Sequence, residues 1–101
     1  MHVSVDLCLI PIGVGTSLSP YIAECQKIFN TFKLDYTLHA YGTTVSGEWD
    51  TVFKAIKACH ETCHKKGSPR IFSTIKCGTR IDKSQTPADK IASVTNKLKN
   101  Q

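Results

Sequence analysis

The 101 residues carry 13 Lys and Arg against 8 Asp and Glu, a formal net charge of +5, and 41% of them are hydrophobic. That length fits one domain spanning 1–101, large enough to bury a core without a metal or a disulfide to hold it. No run approaches the ~18 consecutive apolar positions of a membrane-spanning helix, and the opening "MHVSVDLCLIPIG" alternates and lacks the basic lead of a secretory signal, so a cytoplasmic protein is expected.

Residues 3–10 alternate, with Val3, Val5, Leu7 and Leu9 on one side and Ser4, Asp6 and Cys8 on the other, which is the pattern of a half-buried strand. "PIGVGTS" then reads as a turn. Ser19 can cap a helix whose first turn accommodates Pro20, and Ile22, Cys25, Ile28, Phe29 and Phe32 recur at helical spacing, so this helix should run to about Lys33 with one apolar stripe. "DYTLHAYGTTVSGE" alternates again. Tyr36, Leu38 and Ala40 share the inward face, Val45 continues it after a turn around Gly42, and two strands in a hairpin are expected.

A second helix is predicted from Trp49 to Lys66, stopped by Gly67. "PRIFSTIKCGTR" should be a fourth strand with Ile71, Ile75 and Cys77 inward. A last helix should start at Thr86, with Pro87 in its first turn, Asp89 in a capping-box-like position, and a stripe of Ile91, Val94 and Leu98. The order is βαββαβ with an extra C-terminal helix. Helices on one side of the strands make a two-layer α+β sandwich of ferredoxin-like topology, with the first and third strands central.

The segment "CHETCH", residues 59–64, places two Cys and two His within six positions of a helix. At about 100° per residue, Trp49, Val52, Phe53, Cys59, His60 and Cys63 fall close to Ile56, so Cys59, Cys63 and His60 extend the core stripe and His64 sits on its edge. Covalent haem attachment uses C-x-x-C-H, whereas the spacing here is C-x-x-x-C-H. Structural zinc takes four ligands, and no second Cys/His cluster exists to complete a set begun here. The five cysteines include no C-x-x-C pair, and reduced, mostly buried thiols are expected, with metal binding or redox chemistry as alternatives. No metal site is predicted.

The sheet face turned away from the helices should carry Ser4, Asp6 and Cys8, then Thr37, His39 and Tyr41, then Thr44, Ser46 and Glu48, then Phe72, Thr74 and Lys76. Asp6 beside Thr44, Ser46 and Glu48 forms an acidic, hydroxyl-rich patch suited to a small polar or cationic ligand, or else a solvated or subunit-covered face. No nucleophile–base signature, Walker loop or dinucleotide glycine motif is present, so no catalytic residue is assigned. The basic residues are dispersed, and only Lys27 and Lys33 precede Lys54. They read as solvated faces, or as weak attraction for anions or nucleic acid.

Three segments together, "PIGVGTS", "HAYGTTVSGEWDTVFKAIKACHE" and "GSPRIFSTIKCGTRIDK", resemble the small ferredoxin-like family of thiamine-binding proteins, long catalogued as uncharacterised, and in particular its fungal member. The likeness covers nearly the whole chain. It implies a cytosolic, non-catalytic protein that binds thiamine or its hydroxymethylpyrimidine precursor, needs no cofactor, and assembles as a homodimer or homotetramer. Carried onto matching positions, it implies a site around Gly42, Thr43, Thr44, Gly47, Glu48 and Trp49, to which the open-face reading adds Asp6 and Ser46. Ser46 stands where the family pattern often has an acid. Arg70, Lys76 and Arg80 match the family's fourth-strand pattern, in a structural or anion-binding capacity. A carboxylate such as Glu48 pairs well with a protonatable aminopyrimidine, and Trp49 or Tyr41 tolerates a cationic thiazolium. An RNA-binding module shares this topology, but the aromatic signature and the first-strand stacking residue are missing. Acylphosphatases share it too, but "PIGVGTS" contains no Arg. A purely structural oligomer is the remaining alternative.

Overall fold

The structure is a computed structural model that describes residues 1–82 and 87–99. The elements run β1 (His2–Ile12), α1 (Ser19–Thr31), β2 (Asp35–His39), β3 (Gly42–Glu48), α2 (Trp49–Lys66), β4 (Arg70–Thr79) and α3 (Pro87–Lys99). The sheet order is β2-β3-β1-β4 and every neighbouring pair is antiparallel, so β1 and β3 are central and the ferredoxin-like α+β sandwich is confirmed. The expected helix cap at Thr86 lies outside the described residues.

Alternation along β1 sends Val3, Val5, Leu7 and Leu9 beneath α1 and α2, where they meet Tyr21, Cys25 and Phe29 from α1, and Val52, Ala55, Ile56, Cys59 and Cys63 from α2. Phe29 is fully buried and sets its ring 6.0 Å from that of Tyr36. In β3, Val45 lies opposite Val5 and completes the layer. Gly47 faces the same layer for want of room, since a Cβ there would stand 2.6 Å from Leu34 Cδ2.

The helix ends follow local chemistry. α1 begins at Ser19, one position earlier than a Ser19 cap would place it, because Leu18 takes the cap position and Pro20 needs no amide donor in the first turn. It closes where Lys33 takes φ 57°, a left-handed conformation that stops helix propagation. α2 ends at Gly67, whose φ of 125° suits a residue without a side chain, and the Ser68 amide then reaches back to the Cys63 carbonyl.

Several inward assignments are corrected. The helices do not reach the hairpin tip or the second half of β4, so Leu38, Ala40, Ile75 and Cys77 are exposed, and Ile71 alone of the β4 set packs against the core. The hairpin turns through Ala40 and Tyr41, since His39 already pairs with Gly42. Trp49, the first residue of α2 directly after β3, lies at the margin of the core stripe, 36% exposed, with its ring 4.6 Å from that of Phe53. Ala55, which the stripe omitted, is buried, and Ile28 and Phe32 are only half-buried.

Candidate functional site

The expectation that "CHETCH" is mostly core holds for its two cysteines alone, since His60 and Thr62 are half-buried and Glu61 and His64 are exposed. Cys59 and Cys63 are fully buried, and Cys25 Sγ of α1 lies 4.0 Å from Cys63 Sγ. Burial, with Cys25 alongside, pushes the Cys63 thiol up to about 12, while a hydrogen bond with Cys59 and then burial push Cys25 up as well, so both stay neutral. His60 shares a 2.9 Å hydrogen bond between Nε2 and Ser73 Oγ, and burial followed by the nearby His64 lowers its pKa. His64 Nδ1–H donates to the Ser68 carbonyl at 2.8 Å. Among the described residues, no group of three or more His, Cys, Asp or Glu side chains is arranged to hold a metal ion.

The sheet separates two hollows, which between them take Asp6, Thr43, Thr44, Lys76 and Arg80 of the predicted site residues. The first, of about 370 Å³, lies on the open face and is lined by Asp6, Thr44, Lys76 and Arg80, with Lys90 reaching in from α3. Strand register builds it, since Asp6 stands opposite Thr44 on one side and Lys76 on the other. His39 Nε2 donates to Asp6 Oδ1 at 3.1 Å, which fills one face of that carboxylate. Arg80 is engaged by Asp82, through Nε to Oδ1 at 2.6 Å and Nη2 to Oδ2 at 3.0 Å.

The other predicted residues do not join this group. Glu48 sits at the start of α2 and pairs with the Met1 amino group. Ser46 faces the open side in the register but is 1% exposed, and its Oγ has no hydrogen-bond partner. Arg70 lies opposite Ile12, at the far end of β4 from Lys76 and Arg80. Trp49 lines neither hollow.

Thr43 is on the opposite side of the sheet, because it precedes Thr44 and faces the helices. It is 5% exposed and borders the second hollow, a cavity of about 400 Å³ between α1 and the β2–β3 hairpin. Leu9, Ile22, Cys25 and Phe29 form its apolar wall, and the exposed Leu38 and Tyr41 of the hairpin line its margin. Gly42 belongs to the same wall, where a Cβ would stand 2.6 Å from the Leu7 carbonyl oxygen, so only glycine lets the hairpin approach β1 here.

The polar group of this cavity is Gln26 of α1. Its Nε2 donates to Thr43 Oγ1 at 2.9 Å, and its Oε1 is buried with no partner. A buried carbonyl left without a partner costs about 1–3 kcal/mol. Sequence reasoning passed over Gln26. The signal was a polar residue four positions after Ile22 and three before Phe29, on the stripe that faces the sheet.

Residues 5–95 match the family model described as "Thiamine-binding protein". A UPF0045 protein of Synechocystis is 51% identical over 100 residues, covering 99% of this chain and 83% of that one. The fungal UPF0045 protein ECM15 of Eremothecium gossypii is 39% identical over 99 residues, covering 97% and 94%. The solved structure of the hypothetical protein MJ1052 of Methanocaldococcus jannaschii superposes with a TM-score of 0.84 at 30% identity, over 93% of this chain and 96% of that one. A protein of Thermotoga maritima provisionally assigned to thiamine biosynthesis or salvage superposes with a TM-score of 0.78 at 16% identity, over 93% and 99%, and shows the shared fold. The chain therefore belongs to the thiamine-binding protein family, whose UPF0045 members carry the name of an uncharacterised group.

Proposed function

We propose that this family member is a non-catalytic cytoplasmic binding protein whose ligand is thiamine or its hydroxymethylpyrimidine precursor, held in the cavity between α1 and the β2–β3 hairpin. The observation that carries the reading is the cavity itself, apolar over most of its wall and with its polar groups gathered at Gln26 and Thr43. Pockets of roughly 300–1,000 Å³ with a few convergent polar groups are where small molecules bind, and about 400 Å³ accommodates a substituted pyrimidine. The family description points to the same ligand class, as does the salvage assignment of the Thermotoga neighbour.

In this reading Thr43 contacts the ligand, and Gly42 supplies the close backbone approach. Asp6, Thr44, Lys76 and Arg80 form a separate open-face hollow that takes charged or anionic groups. Ser46, Glu48, Trp49 and Arg70 support the surrounding structure and do not touch the ligand. A homodimer or homotetramer is part of the proposal. Exposed Ile10, Ile12 and Phe72 on the sheet, and Ile91, Val94 and Leu98 on α3, give one chain two apolar surfaces for a second copy to cover.

Thermal unfolding with added ligand tests the binding site. A ligand at about 100 times its Kd adds ~2.7 kcal/mol of stability, which shifts the melting temperature of a domain this size by many degrees. Both thiamine and hydroxymethylpyrimidine are expected to raise it. Ile22→Phe fills the cavity and removes the shift, whereas Thr44→Val on the open face leaves it intact. A folded sample that shows no shift at millimolar concentrations of either ligand overturns the reading.

A further inference from the structure

We infer that the open-face hollow is a second ligand site, for a phosphate or phosphate-monoester dianion held between β4 and α3. This narrows the charged-group reading of that hollow to one chemistry and is independent of the cavity on the other side of the sheet. Three of the side chains that line the hollow are cationic at neutral pH: Lys76 of β4, Arg80 just after it and Lys90 of α3. Asp6 is the one carboxylate among the described lining residues, and Ser4 and Thr44 add hydroxyl groups.

Asp6 is turned away from these cations. Its Oδ1 accepts from His39 Nε2 at 3.1 Å, and β2, which carries His39, lies two strands from β1 on the side opposite β4. The carboxylate is thereby drawn away from Lys76, its neighbour in register. Among the described residues, neither Lys76 nor Lys90 has an ion-pair partner. Arg80 is held by Asp82 through two hydrogen bonds, which orient its guanidinium. Two ammonium groups sharing one hollow repel each other, and a multivalent anion between them replaces that repulsion with attraction.

A phosphate monoester carries about −1.5 to −2 charges at pH 7 and three strong acceptor oxygens. Those oxygens match the donors present, since lysine binds phosphate as a point charge and the Ser4 and Thr44 hydroxyls can each donate. A carboxylate ligand brings less charge and fewer oxygens. A volume of about 370 Å³ holds a phosphate group with a small substituent. No Phe, Tyr or Trp is among the described lining residues, so the hollow offers no aromatic platform for the bases of a nucleic acid. Gly78, which stands opposite Ser4, keeps the hollow open, and a Cβ added there would meet no heavy atom within 4 Å.

Calorimetric titration of the full-length chain with inorganic phosphate, and separately with glycerol phosphate as the monoester, tests the site at fixed ionic strength in chloride buffer. Saturable binding is expected, and the tighter of the two ligands tells a free phosphate from an esterified one. Lys76→Gln and Lys90→Gln should each raise the Kd about fivefold, the effect of losing one exposed charge pair. Lys65→Gln removes the same charge from the exposed end of α2 and should leave the Kd within about twofold. Gly78→Asp, for which there is room, sets a carboxylate into the hollow and should abolish binding. Melting curves without ligand establish that each variant is folded. Absence of saturable binding of either ligand in chloride overturns the inference. So does a loss with Lys65→Gln equal to that with Lys76→Gln, or unchanged binding by Gly78→Asp. Thiamine is titrated separately, so failure here leaves the cavity reading in place and failure there leaves this one.

Discussion

Helices α1 and α3 have the same length, 13 residues, and each carries an apolar stripe at helical spacing, yet they end in opposite environments. α1 buries Tyr21, Cys25 and Phe29 against the sheet, whereas α3 leaves Ile91 69%, Val94 58% and Leu98 63% exposed. The difference lies in connection. α1 is bracketed by β1 and β2, both of which pair with β3, so the chain must carry it across the sheet. Among the described residues α3 is joined to the sheet at one end only, through the segment after β4. An apolar stripe states which side of a helix needs cover, and connectivity decides whether the same chain provides it.

The largest expected effect breaks the covered helix. Phe29→Ala should cost about 3–5 kcal/mol of stability in urea unfolding, because it empties a fully buried ring site in the core beside Tyr36 of β2. A loss below about 1 kcal/mol would show that the helix layer collapses into the space, and the contrast with α3 would shrink accordingly.

A smaller effect sharpens the contrast through pH. His60 sits on the covered side of α2, and its pKa is lowered from 6.5 by burial and by His64. A base held neutral in the fold and free to protonate when unfolded contributes stability above pH 6.5 that is lost as the pH falls below that value toward its lowered folded pKa. Across this window the unfolded chain binds more protons. Denaturation midpoints measured between pH 8 and 5 should therefore fall at the acid end, and His60→Gln should flatten that part of the curve; an unchanged slope would assign it to other groups.

The smallest effect on the isolated chain is expected at α3. Leu98→Ala should change unfolding stability in dilute solution by no more than about 0.5 kcal/mol, since the side chain is exposed. Its effect should appear in sedimentation velocity, as a shift from assembled species toward monomer. A stability loss above about 2 kcal/mol in dilute solution would place α3 against its own domain and erase the comparison.

Much of this was legible in the sequence because periodicity is local. Val3, Val5, Leu7 and Leu9 had to face one way, and Gly67 had to end α2 after Lys66, whatever the rest of the chain did. Alternation also put Asp6, Thr44 and Lys76 on one face, although the patch expected there joined Asp6 to Thr44, Ser46 and Glu48, and Glu48 turns instead to the Met1 amino group. What the pattern could not supply was extent. Ile75 and Cys77 alternate as inward residues do, but the helices stop short of that half of β4 and leave them exposed. Nor could it supply the cavity, which α1, β1 and the β2–β3 hairpin line together. Thr43 and Gln26 are 17 positions apart in sequence, and only the fold brings their side chains together.

The outer edge of β4 carries a further consequence. β4 is the terminal member of the sheet along its whole Arg70–Thr79 length, and one row of its amides and carbonyls lacks a neighbouring strand among the described residues. A long bare rim of this kind is a template for stacking chain upon chain into fibrils. Arg70 and Lys76 within the strand act as gatekeepers along that rim, since like charges would repeat at each added layer. The basic excess of the C-terminal half thus also protects colloidal solubility, and high salt, by screening it, should weaken that protection.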